Sequence, residues 1–221
     1  MFSYQEAFNR NLGWVTETEQ QVLAEKRIAI AGLGGVGGAH LLTLARLGIG
    51  KFNLADFDHF ELPNFNRQAG ANIHTLWRDK LGVMAEMAVA VNPGLEIGRF
   101  AEGIHAGNVS RFLDGVDLYI DGLDFFVLDE RQRIFALCAE RGIPAITAAP
   151  VGMGAALLVF LPGRMTFEQY FRLGTHPFAE KAARFLAGLT PSMLQVGYLV
   201  DPSRVDFISR KVPSTFDFSS T

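Results

Sequence analysis

Residues 28–38 read IAIAGLGGVGG, and this stretch decides the fold. The alternating Ile and Ala residues predict a buried strand, and the leucines that follow from Leu41 recur at helical spacing up to Gly48. Between strand and helix, Gly32, Gly34 and Gly37 satisfy the pattern G-x-G-x-x-G. The first glycine permits a tight turn, the second lets a phosphate approach the backbone, and the third lets helix and strand pack closely. Since a helix N-terminus attracts anions, the stretch predicts a nucleotide phosphate site, with a ligand-free glycine turn as the alternative.

Strand-like and helix-like segments alternate along most of the remaining chain, which predicts an α/β fold. We expect a Rossmann-like, mainly parallel sheet with helices on both faces, plus a less regular C-terminal segment. The apolar residues 145–161 predict two buried strands with a bend between them. The other predicted strands are 51–55, 95–100, 116–120 and 143–147, and the predicted helices run from about 77 to 91, 127–141, a short one from Thr166, and 178–189.

Composition limits the classes of function. The 221 residues carry a net charge of -3, which gives no basic surface for nucleic acid as the main ligand. The single cysteine, Cys138, provides neither an internal disulfide nor a zinc site, and the N-terminal residues lack the features of a secretory signal. No apolar stretch reaches the roughly 20 residues that span a bilayer. We therefore expect a cytoplasmic protein that does not bind membranes.

An acidic residue follows the second predicted strand. Asp56 stands where a carboxylate can accept hydrogen bonds from ribose hydroxyls. This placement suits the adenosine of ATP and the ribose of NAD equally well. An NAD- or flavin-dependent oxidoreductase is therefore an open alternative at this point.

The residues after Asp56 distinguish the two ligands. Residues 64–68 read NFNRQ, and this cluster of amides and a guanidinium suits a triphosphate, whose three phosphoryl groups must be held and whose leaving pyrophosphate must be neutralised. Together with the glycine loop, the cluster resembles the ThiF and MoeB adenylyltransferases and the adenylation domains of ubiquitin-activating enzymes. That family has an N-x-N-R-Q motif after a G-x-G-G-x-G loop, and the resemblance extends from about residue 8 to residue 162.

The resemblance implies an ATP- and Mg2+-dependent reaction in which a substrate carboxylate attacks the α-phosphorus of ATP and gives an acyl-adenylate and pyrophosphate. Arg67 and Lys80 would hold the phosphates, and Asp124, together with Asp58, would hold the metal. Arg10 would reach the ATP of the partner subunit in a homodimer. The implied nucleotide contacts are Gly32, Gly34, Gly35, Gly37, Asp56, Asn64, Asn66, Arg67, Gln68, Lys80 and Leu123.

Three departures from the family accompany the resemblance. Phe125 follows Asp124, where many relatives have asparagine. There are no C-x-x-C pairs, so no zinc is expected, and residues 161–190 lack the cysteine that accepts the activated group in some relatives. Cys138 is predicted to be a core residue. A non-catalytic nucleotide-binding or scaffold relative is therefore an alternative.

On this interpretation, residues 1–162 form an ATP-binding adenylation domain. Residues 163–221 form a crossover or helical segment that could belong to the same domain. The substrate would be a ubiquitin-like protein or peptide with a free C-terminal carboxylate, or a small molecule.

Overall fold

A six-stranded sheet forms the centre of the computed structural model, which describes residues 2–192, 197–198 and 201–205. The strand order is β3-β2-β1-β4-β5-β6, and all neighbours are parallel except β6, which is antiparallel to β5. The chain moves outward from β1 in one direction through β2 and β3 and in the other through β4 and β5. This reversal opens a crevice at the carboxyl ends of β1 and β4, where α/β sheets bind ligands. The strands are β1 (Arg27–Ala31), β2 (Lys51–Ala55), β3 (Glu96–Phe100), β4 (Leu118–Asp121), β5 (Ala145–Val151) and β6 (Gly154–Phe160).

Helices cover both faces of the sheet, because successive strand residues point to opposite sides. In β1, Ile28 and Ile30 join an apolar cluster with the helices α3 (Gly35–Leu47) and α4 (Lys80–Val91). Ala29 and Ala31 join a second cluster on the other face. The predicted fold class is confirmed. The remaining helices are α1 (Tyr4–Ala7), α2 (Glu17–Glu25), α5 (Val109–Phe112), α6 (Leu128–Arg141), α7 (Phe167–Phe171) and α8 (Phe178–Leu189).

Local capping signals fix several helix boundaries where the sequence predicted them. Gly48 and Gly142 end α3 and α6 in the left-handed conformation, with φ of 94° and 67°. Thr166 and Gln169 form a reciprocal capping box at the start of α7. The predicted ends of these helices are confirmed.

Two predictions about elements were wrong. The helix predicted from about residue 77 begins only at Lys80, because Trp77 has a φ of 66° and its N–H donates to the Phe60 carbonyl instead. The second of the two strands in 145–161 is not buried on both faces, since Leu157 is 63% exposed and Val159 is 51% exposed. Strand β6 is at the edge of the sheet, and one of its faces leaves apolar side chains open to solvent.

The C-terminal helices α7 and α8 pack into the same core as α6. Phe167, Phe171 and Phe185 lie in the apolar cluster that contains Phe135 of α6. The proposed boundary at residue 162 stays a prediction, and residues 206–221 of the segment lie outside the described part of the chain. Among the described helices, none combines the length and apolarity needed to span a bilayer.

Candidate nucleotide site

Three glycines bring the turn after β1, the start of α3 and the end of β4 into backbone contact. Gly32 has a φ of 84°, which favours glycine, and its N–H donates to the Ala55 carbonyl at 2.8 Å. A Cβ on Gly37 would clash with the Gly32 carbonyl oxygen. A Cβ on Gly122 would lie 2.9 Å from the Gly37 Cα. Gly122 was not among the predicted site residues, although Leu123 and Asp124, which follow it, were.

The Asp56 carboxylate ties the end of β2 to the glycine loop. One oxygen accepts a hydrogen bond from the Leu33 N–H at 2.7 Å, and the other accepts one from the Asp58 N–H at 2.8 Å. Burial raises the pKa of Asp56, while these two bonds and the charge of Lys80 act in the opposite direction. Since an ionised carboxylate offers about four acceptor positions, Asp56 retains capacity for further donors.

The motif of residues 64–68 is held by its own side chains. The Asn64 side-chain oxygen accepts a hydrogen bond from the Glu61 N–H at 3.0 Å. The Arg67 guanidinium donates to the Pro63 carbonyl at 2.8 Å and to the Asn66 side-chain oxygen at 3.0 Å. These bonds restrict the positions that Arg67 can take.

The same motif lies directly against the glycine loop. Gln68 is 7% exposed, and its Nε2 lies 3.4 Å from the position of a Cβ on Gly34. The Cγ of Arg67 lies 3.7 Å from the corresponding position on Gly35, the first residue of α3. Within the described residues, the buried Oε1 of Gln68 has no hydrogen-bond partner. Buried polar atoms are almost always paired, so this oxygen indicates a place for a donor from water or a ligand.

Lys80 and Asp58 form an ion pair beside Asp56. The Lys80 side chain is 8% exposed, and its Nζ lies 3.1 Å from the Asp58 carboxylate. The backbone N–H of Lys80 also donates to the Asp58 carbonyl at 2.9 Å. The structure thus places Lys80, which is predicted to bind phosphate, in the first turn of α4. It pairs Lys80 with Asp58, one of the two predicted metal ligands.

Asp124 lies in the loop after β4, close enough to Arg67 for its charge to act on the guanidinium. Asp124 is exposed, and one of its carboxylate oxygens accepts a hydrogen bond from the Phe126 N–H at 3.0 Å. Burial lowers the pKa of the Arg67 guanidinium, and the charge of Asp124 counteracts this effect. No three acidic, histidine or cysteine side chains form a metal-binding group within the described ranges. A Mg2+ ion here would need phosphate oxygens as ligands besides Asp124, which is the usual way proteins bind it.

The remaining predicted residues lie in different places. The Leu123 N–H donates to the Asp121 carboxylate at 3.2 Å, directly beside the glycine contact. Arg10 is exposed in the turn Asn9–Asn11, and Asn11 donates to the Leu47 carbonyl at the end of α3. A 13-residue helix is about 20 Å long, so Arg10 lies far from the glycine loop of its own chain.

Cys138 is a core residue, as predicted. It is 1% exposed on the inner side of α6, and burial raises the pKa of its thiol to about 12. Phe125, the departure from the family pattern, packs against Phe185 of α8 with ring centroids 5.6 Å apart. Its side chain therefore contributes to packing between the loop after β4 and α8.

A mainly parallel sheet with a glycine loop at its switch point, an acidic residue after β2 and two cations on the segments that follow is typical of a nucleotide-binding α/β domain. The chain belongs to the ThiF family, whose pattern matches residues 8–210.

Several known relatives resemble the chain. It is 32% identical over 143 residues to the sulfur carrier protein ThiS adenylyltransferase of Escherichia coli, covering 65% of this chain and 56% of that protein. It is 30% identical over 174 residues to the tRNA threonylcarbamoyladenosine dehydratase of Bacillus subtilis, covering 78% of this chain and 66% of that protein. The chain thus spans between about one fifth and two thirds of the length of the curated relatives it matches.

Solved structures show the same fold. The E. coli tRNA N6-threonylcarbamoyladenosine dehydratase in complex with AMP superposes with a TM-score of 0.63 at 28% identity. The match covers 68% of this chain and 61% of that one. A nucleotide-bound relative therefore shares this architecture.

Proposed function

We propose that the protein adenylates a substrate carboxylate with ATP and Mg2+, releasing pyrophosphate. The observation that carries the proposal is the arrangement of Arg67, Lys80 and Asp124 around one glycine loop. Arg67 lies against Gly35 at the start of α3, and Lys80 pairs with Asp58, whose N–H binds the Asp56 carboxylate that holds the loop. Asp124 is two residues after Gly122, which contacts the glycine loop, and its charge acts on Arg67. This arrangement of two cations and one carboxylate suits a triphosphate with its metal.

Each group has a task that follows from its position. The backbone N–H groups at the start of α3, with Arg67 and Lys80, would offset the charge of the phosphates, and Asp56 would accept from the ribose hydroxyls. Asp124 would hold Mg2+, which supplies further charge neutralisation at the phosphates. The unpaired Oε1 of Gln68 marks a buried acceptor position at the same loop. No side chain of this chain has to act as a nucleophile, since the substrate carboxylate attacks the phosphorus.

The substrate class and assembly belong to the proposal as well. A relative is named for its action on the sulfur carrier protein ThiS, which supports a protein or peptide C-terminus as the carboxylate. The distance between Arg10 and the loop of its own chain supports a homodimer in which Arg10 serves the partner's site. The buried Cys138 is inaccessible, so the activated group would pass directly to an acceptor supplied from outside this chain.

ATP binding and pyrophosphate exchange test the reaction. Purified protein with Mg2+ and ATP, offered a panel of peptides with free C-termini and small carboxylic acids, is expected to incorporate labelled pyrophosphate into ATP. Arg67→Ala and Asp124→Ala should each lower the exchange by about 100-fold or more, since each removes a preorganised charge. Arg78→Ala is the matched control, because Arg78 pairs with Glu86 at 2.8 Å on the surface of α4. Equal exchange by Arg67→Ala and Arg78→Ala would contradict the proposal.

Mixing two inactive variants tests the role of Arg10. If Arg10 acts on the partner's site, a mixed dimer of Arg10→Ala and Asp124→Ala contains one intact site. An equal mixture should therefore regain about one quarter of the wild-type exchange, because half of the dimers are mixed and each has one active site of two. A mixture with no more activity than the separate variants would contradict the shared site.

The second candidate function is nucleotide binding without catalysis. Phe125 favours it, because a phenyl ring stands where many relatives have an amide. In that case the protein should bind ATP with Mg2+ but show no pyrophosphate exchange with any member of the panel. Exchange by the wild-type protein would exclude this candidate.

A further inference from the structure

The guanidinium of Arg131, on α6, is buried beneath the candidate site. Its Nε lies 2.7 Å from the Asp121 carboxylate at the end of β4, and the two side chains are 3% and 1% exposed. Asp121 also accepts hydrogen bonds from the Thr147 hydroxyl at 2.8 Å and from the Leu123 N–H at 3.2 Å. Since a buried charge needs both a partner and hydrogen bonds, this arrangement satisfies Asp121 fully.

The rest of the guanidinium is directed at the loop that carries Asp124. Nη2 donates to the Leu123 carbonyl at 2.7 Å and to the Asp124 carbonyl at 3.2 Å, and Nη1 donates to the Val127 carbonyl at 3.3 Å. Residues 122–127 lie in neither a helix nor a strand, so they lack a backbone ladder of their own. One cation therefore supplies the donors that several carbonyls of this loop need.

Helix α8 covers the other side of Arg131. The Phe185 ring lies 4.7 Å from the guanidinium carbon, and the same ring packs against Phe125 of the loop. Lys181, one turn earlier in α8, binds α6 through Asp129 and Gln132, each at 2.7 Å. The loop, the arginine and α8 thus form one packed unit that excludes water from the ion pair.

We propose that Arg131 is a positioning residue that holds residues 122–127, and with them the Asp124 carboxylate that would bind Mg2+. The inference rests on the proposed function, because Asp124 would hold Mg2+ in that reaction. A lysine at position 131 could still pair with Asp121, but an ammonium lacks the planar set of five donors that reaches several carbonyls at once. The lysine variant should therefore keep the buried charge and lose the hold on the loop.

The test uses Arg131→Lys, with Arg133→Lys as the control, because Arg133 is on the same helix and 41% exposed. Hydrogen exchange read by NMR needs no ligand: the amides of Leu123 and Phe126 should exchange at least about tenfold faster in Arg131→Lys, while those of β1 and β4 stay protected. Unchanged exchange at both amides would overturn the inference, whether or not the protein binds ATP.

The second readout is the free Mg2+ concentration that half-maximally tightens ATP binding, measured by calorimetry. Arg131→Lys should raise it by about 10- to 100-fold, as removal of residues that orient metal ligands does, with ATP binding in EDTA unchanged. Because Arg131 acts through Asp124, the double variant Arg131→Lys/Asp124→Asn should need no more Mg2+ than Asp124→Asn alone. Faster exchange with an unchanged Mg2+ requirement, or additive effects in the double variant, would mean a structural role only.

If Arg131→Lys does not fold, Phe185→Leu decides the question. It removes the ring over the guanidinium while keeping an apolar side chain, and it should shift both readouts in the same direction by a smaller factor. No shift in either readout would overturn the inference. Absence of ATP binding in the wild-type protein would count against the proposed function instead.

Discussion

Replacing Gly122 by alanine adds one methyl group at the point where the site's backbone segments meet. The φ of Gly122 is not in the left-handed region, so the cost expected for alanine comes from its steric contacts. The new Cβ would lie 2.5 Å from the Gly32 carbonyl oxygen and 3.0 Å from the Gly37 nitrogen. Both neighbours are backbone atoms, which cannot move aside as the end of a flexible side chain could.

The size of the effect follows from these distances. The segment after β4 must move by about 0.9 Å from the glycine loop before its contact with the Gly32 oxygen reaches the 3.4 Å of ordinary packing. Overpacking of this kind costs about 1–3 kcal/mol in the free energy of unfolding. The same displacement alters the loop that would face the phosphates, and a misplacement of about 1 Å can cost roughly 100-fold in rate. We therefore expect a larger loss in pyrophosphate exchange than in stability.

Urea unfolding followed by circular dichroism measures the change in the free energy of unfolding. Calorimetric titration with ATP, together with pyrophosphate exchange, measures the loss at the nucleotide site. Gly154→Ala is the matched control, because its Cβ would meet only the Val151 carbonyl at 3.7 Å and its φ is also not in the left-handed region. The control should stay within about 0.5 kcal/mol of the wild-type free energy of unfolding. If Gly122→Ala is as stable as Gly154→Ala and binds ATP equally well, the glycine contact does not have the role assigned to it.

Two further predictions concern other parts of the chain. Cys138 should react with a thiol reagent at pH 8 only after unfolding in urea, and Cys138→Ala should keep pyrophosphate exchange within twofold of the wild type; fast labelling of the folded protein would show that the thiol is accessible. Desolvation raises the pKa of Asp117, but the bonds from the Arg27 N–H and the Lys26 ammonium outweigh it and lower the pKa. The wild type should therefore be more stable than Asp117→Asn at pH 7, by about 1 kcal/mol for this partly exposed group. That advantage is present above the unfolded pKa of about 3.9 and should disappear as the pH falls through the lower folded pKa; an advantage that grows on acidification would contradict it.

The parts of the fold that the sequence predicted depend on short-range signals. The glycine that ends α3 and the capping box that starts α7 act within one helical turn, so their residues are adjacent in the sequence. The alternation of Ile and Ala in β1 and the helical spacing of the leucines from Leu41 onward are equally local signals. A similar capping box of Thr16 and Glu19 starts α2, but this helix was not predicted because Gln20 is its only buried residue and no apolar stripe is present.

The errors and omissions depend on contacts between distant segments. Trp77 takes its left-handed conformation because its N–H pairs with Phe60, and nothing near Trp77 in the sequence indicates that pairing. Gly122 appears in the sequence as one glycine among 23, and its role depends on the adjacency of β1 and β4. Arg131 resembles a surface residue of a charged helix until the end of β4 is placed beside it.

Phe125 takes on a different meaning once the packing of α8 is known. In the sequence, Phe125 indicates that an amide is missing, because many relatives have asparagine directly after the aspartate that corresponds to Asp124. In the structure its ring joins Phe185, the residue that covers Arg131, and so connects the Asp124 loop to a helix in the C-terminal segment. An asparagine at this position could not make that apolar contact, so its gain in hydrogen bonding would come with a weaker hold on the loop. Phe125 therefore contributes to holding the loop that carries Asp124, a role that the comparison of sequences alone does not indicate.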